Sequence, residues 1–97
     1  MPTHKAVVTA SVGLHARPAA VFVRAVNETG LPVTIAKAGT TRVDARSLLQ
    51  VMTADFHHGC EVELGISESA LGGSLSHEEA RDALRALADL LESQGAA

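Results

Sequence analysis

His15 and Arg17 stand two residues apart in the stretch SVGLHARPAA, directly ahead of Pro18 and an apolar run. Pro18 suits the first turn of a helix, where its missing N–H has no intrahelical acceptor to lose. A helix is predicted from about Pro18 to Asn27, with Ala19, Phe22, Val23 and Val26 forming a single apolar stripe. The first turn of a helix has N–H groups without partners and carries roughly half a positive charge, so it stabilises an anion. His15 falls just before that turn. A neutral imidazole nitrogen is a nucleophile, and a phosphoryl group accepted there would bring its charge against the helix start. Arg17 adds a planar fork of donors matched to phosphate oxygens. Gly13 allows a tight backbone, while Ala16 and Ala19 are small and leave a partner room to approach. These residues could carry phosphate on a histidine beside a ready-made cradle. On spacing alone, a histidine and an arginine that only face water are the favoured reading.

The rest of the chain sets limits on that chemistry. Its 97 residues suit one domain, and at this size roughly 60–65% of the unfolded surface can be buried. Hydrophobic residues make up 46% and charged residues 20%, a globular composition. A formal charge of −3, no Trp or Tyr and only two Phe argue against nucleic-acid binding through phosphate neutralisation or base stacking. Cys60 is alone and cannot form an internal disulfide. No apolar run approaches the ~20 residues of a membrane span, and the start lacks a signal-peptide pattern, so a cytoplasmic protein is expected.

The elements that must position His15 can be read from periodicity. KAVVTAS (Lys5 to Ser11) reads as a strand, and Gly30 with Pro32 stops the first helix. VTIAK and TTRVD flank Ala38-Gly39 as a hairpin. Asp44 is a good N-cap for a short second helix, with Ser47 at its third position. Leu48, Leu49, Val51, Met52 and Phe56 dominate that helix, and Gly59 ends it. They exceed what a narrow stripe needs, so part of this apolar surface is expected to stay exposed, with Phe56 in the core. CEVELGI alternates as a further strand. SESALGGSL is a loop, and Ser76 with Glu79 forms a capping box for the longest helix, buried through Ala80, Leu84, Leu87 and Leu91. The order is βαββαβα, one sheet with helices on one face. Strand order does not follow from the pattern.

GLHARPAA resembles the active-site signature of the HPr family, the histidine-containing phosphocarriers of the phosphoenolpyruvate-dependent sugar phosphotransferase system. VTIAK, the hairpin, and DARSLLQVM ahead of GCEVEL resemble the family's middle region in order and spacing. The resemblance covers nearly the whole chain. It implies an α+β open-faced sandwich, βαββαβα, with a four-stranded antiparallel sheet and three helices on one face, as one HPr domain over residues 1–97. Val12 departs from the family, which more often shows a polar residue or Gly there. The loop over 67–75 is a few residues longer than the family leads one to expect.

The resemblance also assigns roles. His15 takes a phosphoryl group on Nδ1 from phosphorylated enzyme I and hands it to a IIA component of a sugar transporter. Arg17 steadies the phosphate, which rests at the helix N-terminus formed by Ala16 and Arg17. Such proteins are carriers with a phosphohistidine intermediate, needing no cofactor, and are not enzymes turning over alone. Ser47 matches a serine that kinases phosphorylate in some members, making a serine kinase and a transcription regulator further partners. A phosphate there would bring about −1.5 to −2 charges to the second helix. Leu48, Leu49 and Met52 match the docking surface. Arg24, Arg42 and Arg46 are available to meet acidic partner surfaces or to be solvated. His57-His58, His4 and His77 lack a convincing third ligand, so no metal site is expected. A monomer is expected, without nucleic acid or membrane insertion. Alternatives are a nitrogen-related regulatory carrier, a purely regulatory module acting through Ser47, or a binding domain of unrelated role on the same fold.

Overall fold

The structure is a computed structural model that describes residues 1–71 and 75–95. Its elements run β1 (Thr3–Val7), α1 (Ala16–Thr29), β2 (Val33–Lys37), β3 (Val43–Asp44), α2 (Leu48–Thr53), β4 (Glu61–Ile66), a 3-10 turn (Glu68–Ala70) and α3 (His77–Ser93). The strands form one antiparallel sheet in the order β1-β4-β2-β3. β4 lies at its centre, with Ala6 opposite Val62 on one side and Ile35 opposite Leu64 on the other.

Alternation along the strands puts Ala6, Val62, Leu64, Ile66, Val33 and Ile35 on one buried face. The stripe of α1 (Ala19, Phe22, Val23, Val26) and that of α3 (Ala80, Leu84, Leu87, Leu91) complete the core. Phe22 and Phe56 are its largest side chains. The opposite face of the sheet carries Thr3, Lys5, Glu61 and Glu63. Arg42 lies across it, donating to Thr34 Oγ1 at 2.8 Å and to Glu63 Oε1 at 2.8 Å. The α+β sandwich is therefore as expected. Among the described residues, no helix is long and apolar enough to cross a membrane.

Several boundaries differ from expectation, each for a tertiary reason. β1 is Thr3–Val7, earlier than Lys5 to Ser11, because its pairing with β4 ends where Val7 meets Glu61. Beyond it the chain turns, and Gly13 N–H donates to the Ala10 carbonyl at 2.8 Å. α1 starts two residues before Pro18, and Gly30 (φ +71) closes it as its left-handed cap. β3 is two residues long where TTRVD suggested five. Ala19 is fully buried, so it belongs to the core and leaves no room for a partner.

The cap of α2 is also different. Asp44 stays in β3, where its carboxylate accepts from Arg46 N–H at 2.9 Å and from the Arg46 guanidinium. That hydrogen bond holds the Asp44 carboxyl below the usual carboxylate range. Ser47 is the N-cap instead, its Oγ accepting from Gln50 N–H. Gly59 does not end α2, which stops at Thr53, and Asp55 takes the left-handed turn at φ +55. Phe56 is buried as expected but lies beyond the helix.

The capping box of α3 is formed as its sequence predicts. Ser76 Oγ accepts from Glu79 N–H at 3.1 Å, and Ser76 N–H donates to Glu79 Oε1 at 3.3 Å. Ser76→Ala removes a partner from the first turn, and the expected loss is about 1 kcal/mol. A lowering of Tm by roughly 4–8 °C in a thermal melt would record it. Of the loop over 67–75, residues 72–74 lie outside the described residues.

Candidate phosphoryl-acceptor site

His15 is the N-cap of α1, in extended conformation (φ −130, ψ 162), and its side chain makes no capping hydrogen bond. Pro18 contributes no N–H, and the first turn contains no acidic residue. The turn therefore keeps its positive end unneutralised by its own side chains. Ala16 sits at φ +50 in the left-handed region, which costs an L-residue roughly 1–2 kcal/mol. Arg17 follows, exposed, and enters no salt bridge among the described residues.

The loop that presents His15 is fastened to the segment after α2. Leu14 N–H donates to the Phe56 carbonyl at 2.8 Å. Gly13 (φ +74) passes so close that a Cβ there would meet Phe56 O at 2.7 Å. Gln94, just past α3, donates from Nε2 to the Pro18 carbonyl at 3.0 Å and ties the other end of the molecule to this turn.

That fastening brings Asp55 to His15. Nε2 of the imidazole lies 3.0 Å from Asp55 Oδ1. A carboxylate only accepts, so Nε2 carries the proton, and in the neutral ring the lone pair is left on Nδ1. The bond from His15 holds the Asp55 carboxyl below the usual carboxylate range, with the charges of His15, Lys37 and His57 adding to the effect. The His15 side chain is 36% exposed, so a partner can reach it.

His77 offers a comparison within the same chain, because it also stands at a helix start. Glu78 and Glu79 occupy that first turn, and Glu68 Oε2 lies 3.4 Å from the His77 ring. Glu78 and Glu79 already answer the dipole of that first turn and would repel a phosphate there, whereas a carboxylate beside the ring is common to both histidines. The α1 start, by contrast, has no acid in its first turn.

The remaining candidates separate into two groups. Leu48 and Leu49 are 40% and 74% exposed, whereas Met52 is half-buried against the core. Ser47 is half-buried, its hydroxyl engaged as the cap of α2. Arg42 pairs with Glu63, and Arg46, which stays exposed, pairs with Asp44. Arg24 lies 3.8 Å from Glu28 in an exposed pair. Cys60 is buried, which pushes its thiol up. Asp55 was missed by sequence reasoning. The signal available was a lone acid between apolar α2 and His57, with nothing to pair it to a residue forty positions earlier.

Comparison with known proteins bears on the family of the chain. A family model described as the PTS HPr component phosphorylation site matches residues 2–93. The phosphocarrier protein HPr of Streptomyces coelicolor is 54% identical over 52 residues, covering 54% of this chain and 56% of that relative. The chain is thus matched to little more than half the length of that curated relative. The crystal structure of HPr-C-His from Thermoanaerobacter tengcongensis superposes with TM-score 0.79 at 28% identity, covering 100% of this chain and 98% of the other. A phosphocarrier protein HPr from Bacillus anthracis does so with TM-score 0.73 at 30% identity, over 91% and 93% of the two chains. With the family match running from residue 2 to residue 93, the chain belongs to the HPr family of the phosphotransferase system.

Proposed function

We propose that this chain is a cytoplasmic phosphocarrier that accepts a phosphoryl group on His15 Nδ1 from phosphorylated enzyme I and passes it to IIA components of sugar transporters. The observation that carries the reading is the 3.0 Å contact of His15 Nε2 with Asp55 Oδ1. The hydrogen bond from Nε2–H to Asp55 leaves Nδ1 as the nucleophile at the uncapped, acid-free start of α1. Phosphoryl transfer asks little of a protein beyond in-line positioning and charge stabilisation. In the first transfer the Nδ1 lone pair forms the new N–P bond. The donor keeps the electron pair of the bond that breaks, and Nε2 retains its proton. Arg17 and the Ala16 and Arg17 N–H groups meet the phosphate oxygens, and each partner completes the site in turn. The exposed Leu48 and Leu49 serve docking. A module acting through Ser47 alone has less support, because the hydroxyl is already held by Gln50 N–H.

A relay with labelled phosphoenolpyruvate tests this. Label is expected on a sugar IIA component only when enzyme I and this chain are both present. Label reaching IIA equally well without the chain would refute the carrier role. Selective transfer to a nitrogen-related acceptor would move the protein to that branch.

A further inference from the structure

We propose that Asp55 is a positioning residue of the transfer site, acting through His15 as a charged acceptor for its Nε2–H. This rests on the carrier reading and adds to it a residue, a charge and a mode of action.

The placement of Asp55 asks for an explanation. It is exposed and contributes nothing to the core. Its φ of +55 lies where glycine is the default and where Asp and Asn are the best-tolerated side-chain residues. Its backbone is held by its surroundings: Lys37 Nζ donates to the Asp55 carbonyl at 3.1 Å, and the next carbonyl, of Phe56, receives Leu14 N–H. Lys37 also stands over the Phe56 ring, 5.9 Å from its centroid. The result is a carboxylate aimed at one nitrogen of the one histidine that caps α1.

The consequence follows from charge. As the Nδ1–P bond forms, the ring moves from neutral imidazole toward an imidazolium that still bears Nε2–H. Asp55 stabilises that positive charge from the ring edge remote from the incoming phosphate, the arrangement by which a carboxylate supports a catalytic imidazole. In the onward transfer, a ring that keeps Nε2–H leaves as neutral imidazole, with the electron pair of the broken N–P bond returning to Nδ1. The groups facing Asp55 are His15, Lys37 and His57, all of which favour its charged form.

Transfer from phosphorylated enzyme I to the full chain is to be measured for Asp55→Asn, which keeps the shape and tolerates positive φ, and for Asp55→Gly. In both, kcat is expected to fall roughly tenfold, less than for a buried carboxylate because this one is screened by water. KM is expected to stay within about twofold and the melting curve to be unchanged, a split that a merely structural role does not give. The Asp55 carboxyl carbon, followed by NMR, is expected to titrate below the usual range and to return toward it in His15→Ala. Parental kcat in Asp55→Asn, or a titration indifferent to His15→Ala, would overturn the proposal. Failure of the parent chain itself to accept phosphate would instead overturn the carrier reading, and it is seen before any variant is made.

Discussion

His15→Ala is expected to lose phosphoryl acceptance completely while melting within a few degrees of the parent. The loss is total because no other histidine shares the environment. His77, the other histidine at a helix start, is surrounded by Glu68, Glu78 and Glu79. The small effect on stability follows from what His15 does not do. Its side chain gives α1 no capping bond, and its one hydrogen bond runs to an exposed carboxylate. An exposed, water-screened pair of this kind adds little to stability. Circular dichroism and a thermal melt check the fold, and labelled phosphate checks acceptance. Unfolding of the variant would show that His15 is structural, against its placement at an exposed helix start.

Gly13→Ala is expected to do the opposite, damaging fold and transfer together. Two penalties coincide at this position. A side-chain residue at φ +74 costs roughly 1–2 kcal/mol. The new Cβ would also lie 2.7 Å from the Phe56 carbonyl oxygen and 3.0 Å from His57 Cα, both backbone atoms that cannot swing aside. The Phe56 carbonyl is the acceptor for Leu14 N–H, so relieving the clash loosens the fastening that sets His15 against Asp55. A total of about 2–4 kcal/mol is expected, which on the scale of roughly 4–8 °C per kcal/mol lowers Tm by about 8–30 °C. Gly30→Ala is the control. It has nearly the same φ, +71, with nothing within 4 Å of the added Cβ, so it pays the conformational part alone, about 1–2 kcal/mol. Equal losses in the two variants would show that the contact with Phe56 is not what Gly13 is needed for.

The parts of this molecule legible in the sequence were those whose cause is local. Pro18 after His15, the stripe through Phe22 and Val26, and Ser76 three residues before Glu79 each specify structure within one or two helical turns. Asp44 and Ser47 show where local reasoning divides. Both are good N-caps three residues apart, and the choice fell to pairing of Thr34 with Asp44, which holds Asp44 in the sheet. The early end of α2 had a similar cause, since Asp55 accepts a conformation that the sequence reserved for Gly59. The meeting of His15 with Asp55 was beyond reach because it joins residues forty positions apart. It depends on the β1–α1 loop crossing the segment between α2 and β4, and periodicity carries no information about that crossing.

The central claim is that His15 takes up phosphate on nitrogen. Intact mass spectrometry of the full chain, after incubation with phosphoenolpyruvate and purified enzyme I, tests it most directly. The account predicts one added phosphoryl group, lost on brief acid treatment, retained in alkali and absent from His15→Ala. An unchanged mass with active enzyme I, or an acid-stable addition that persists in His15→Ala, would contradict it.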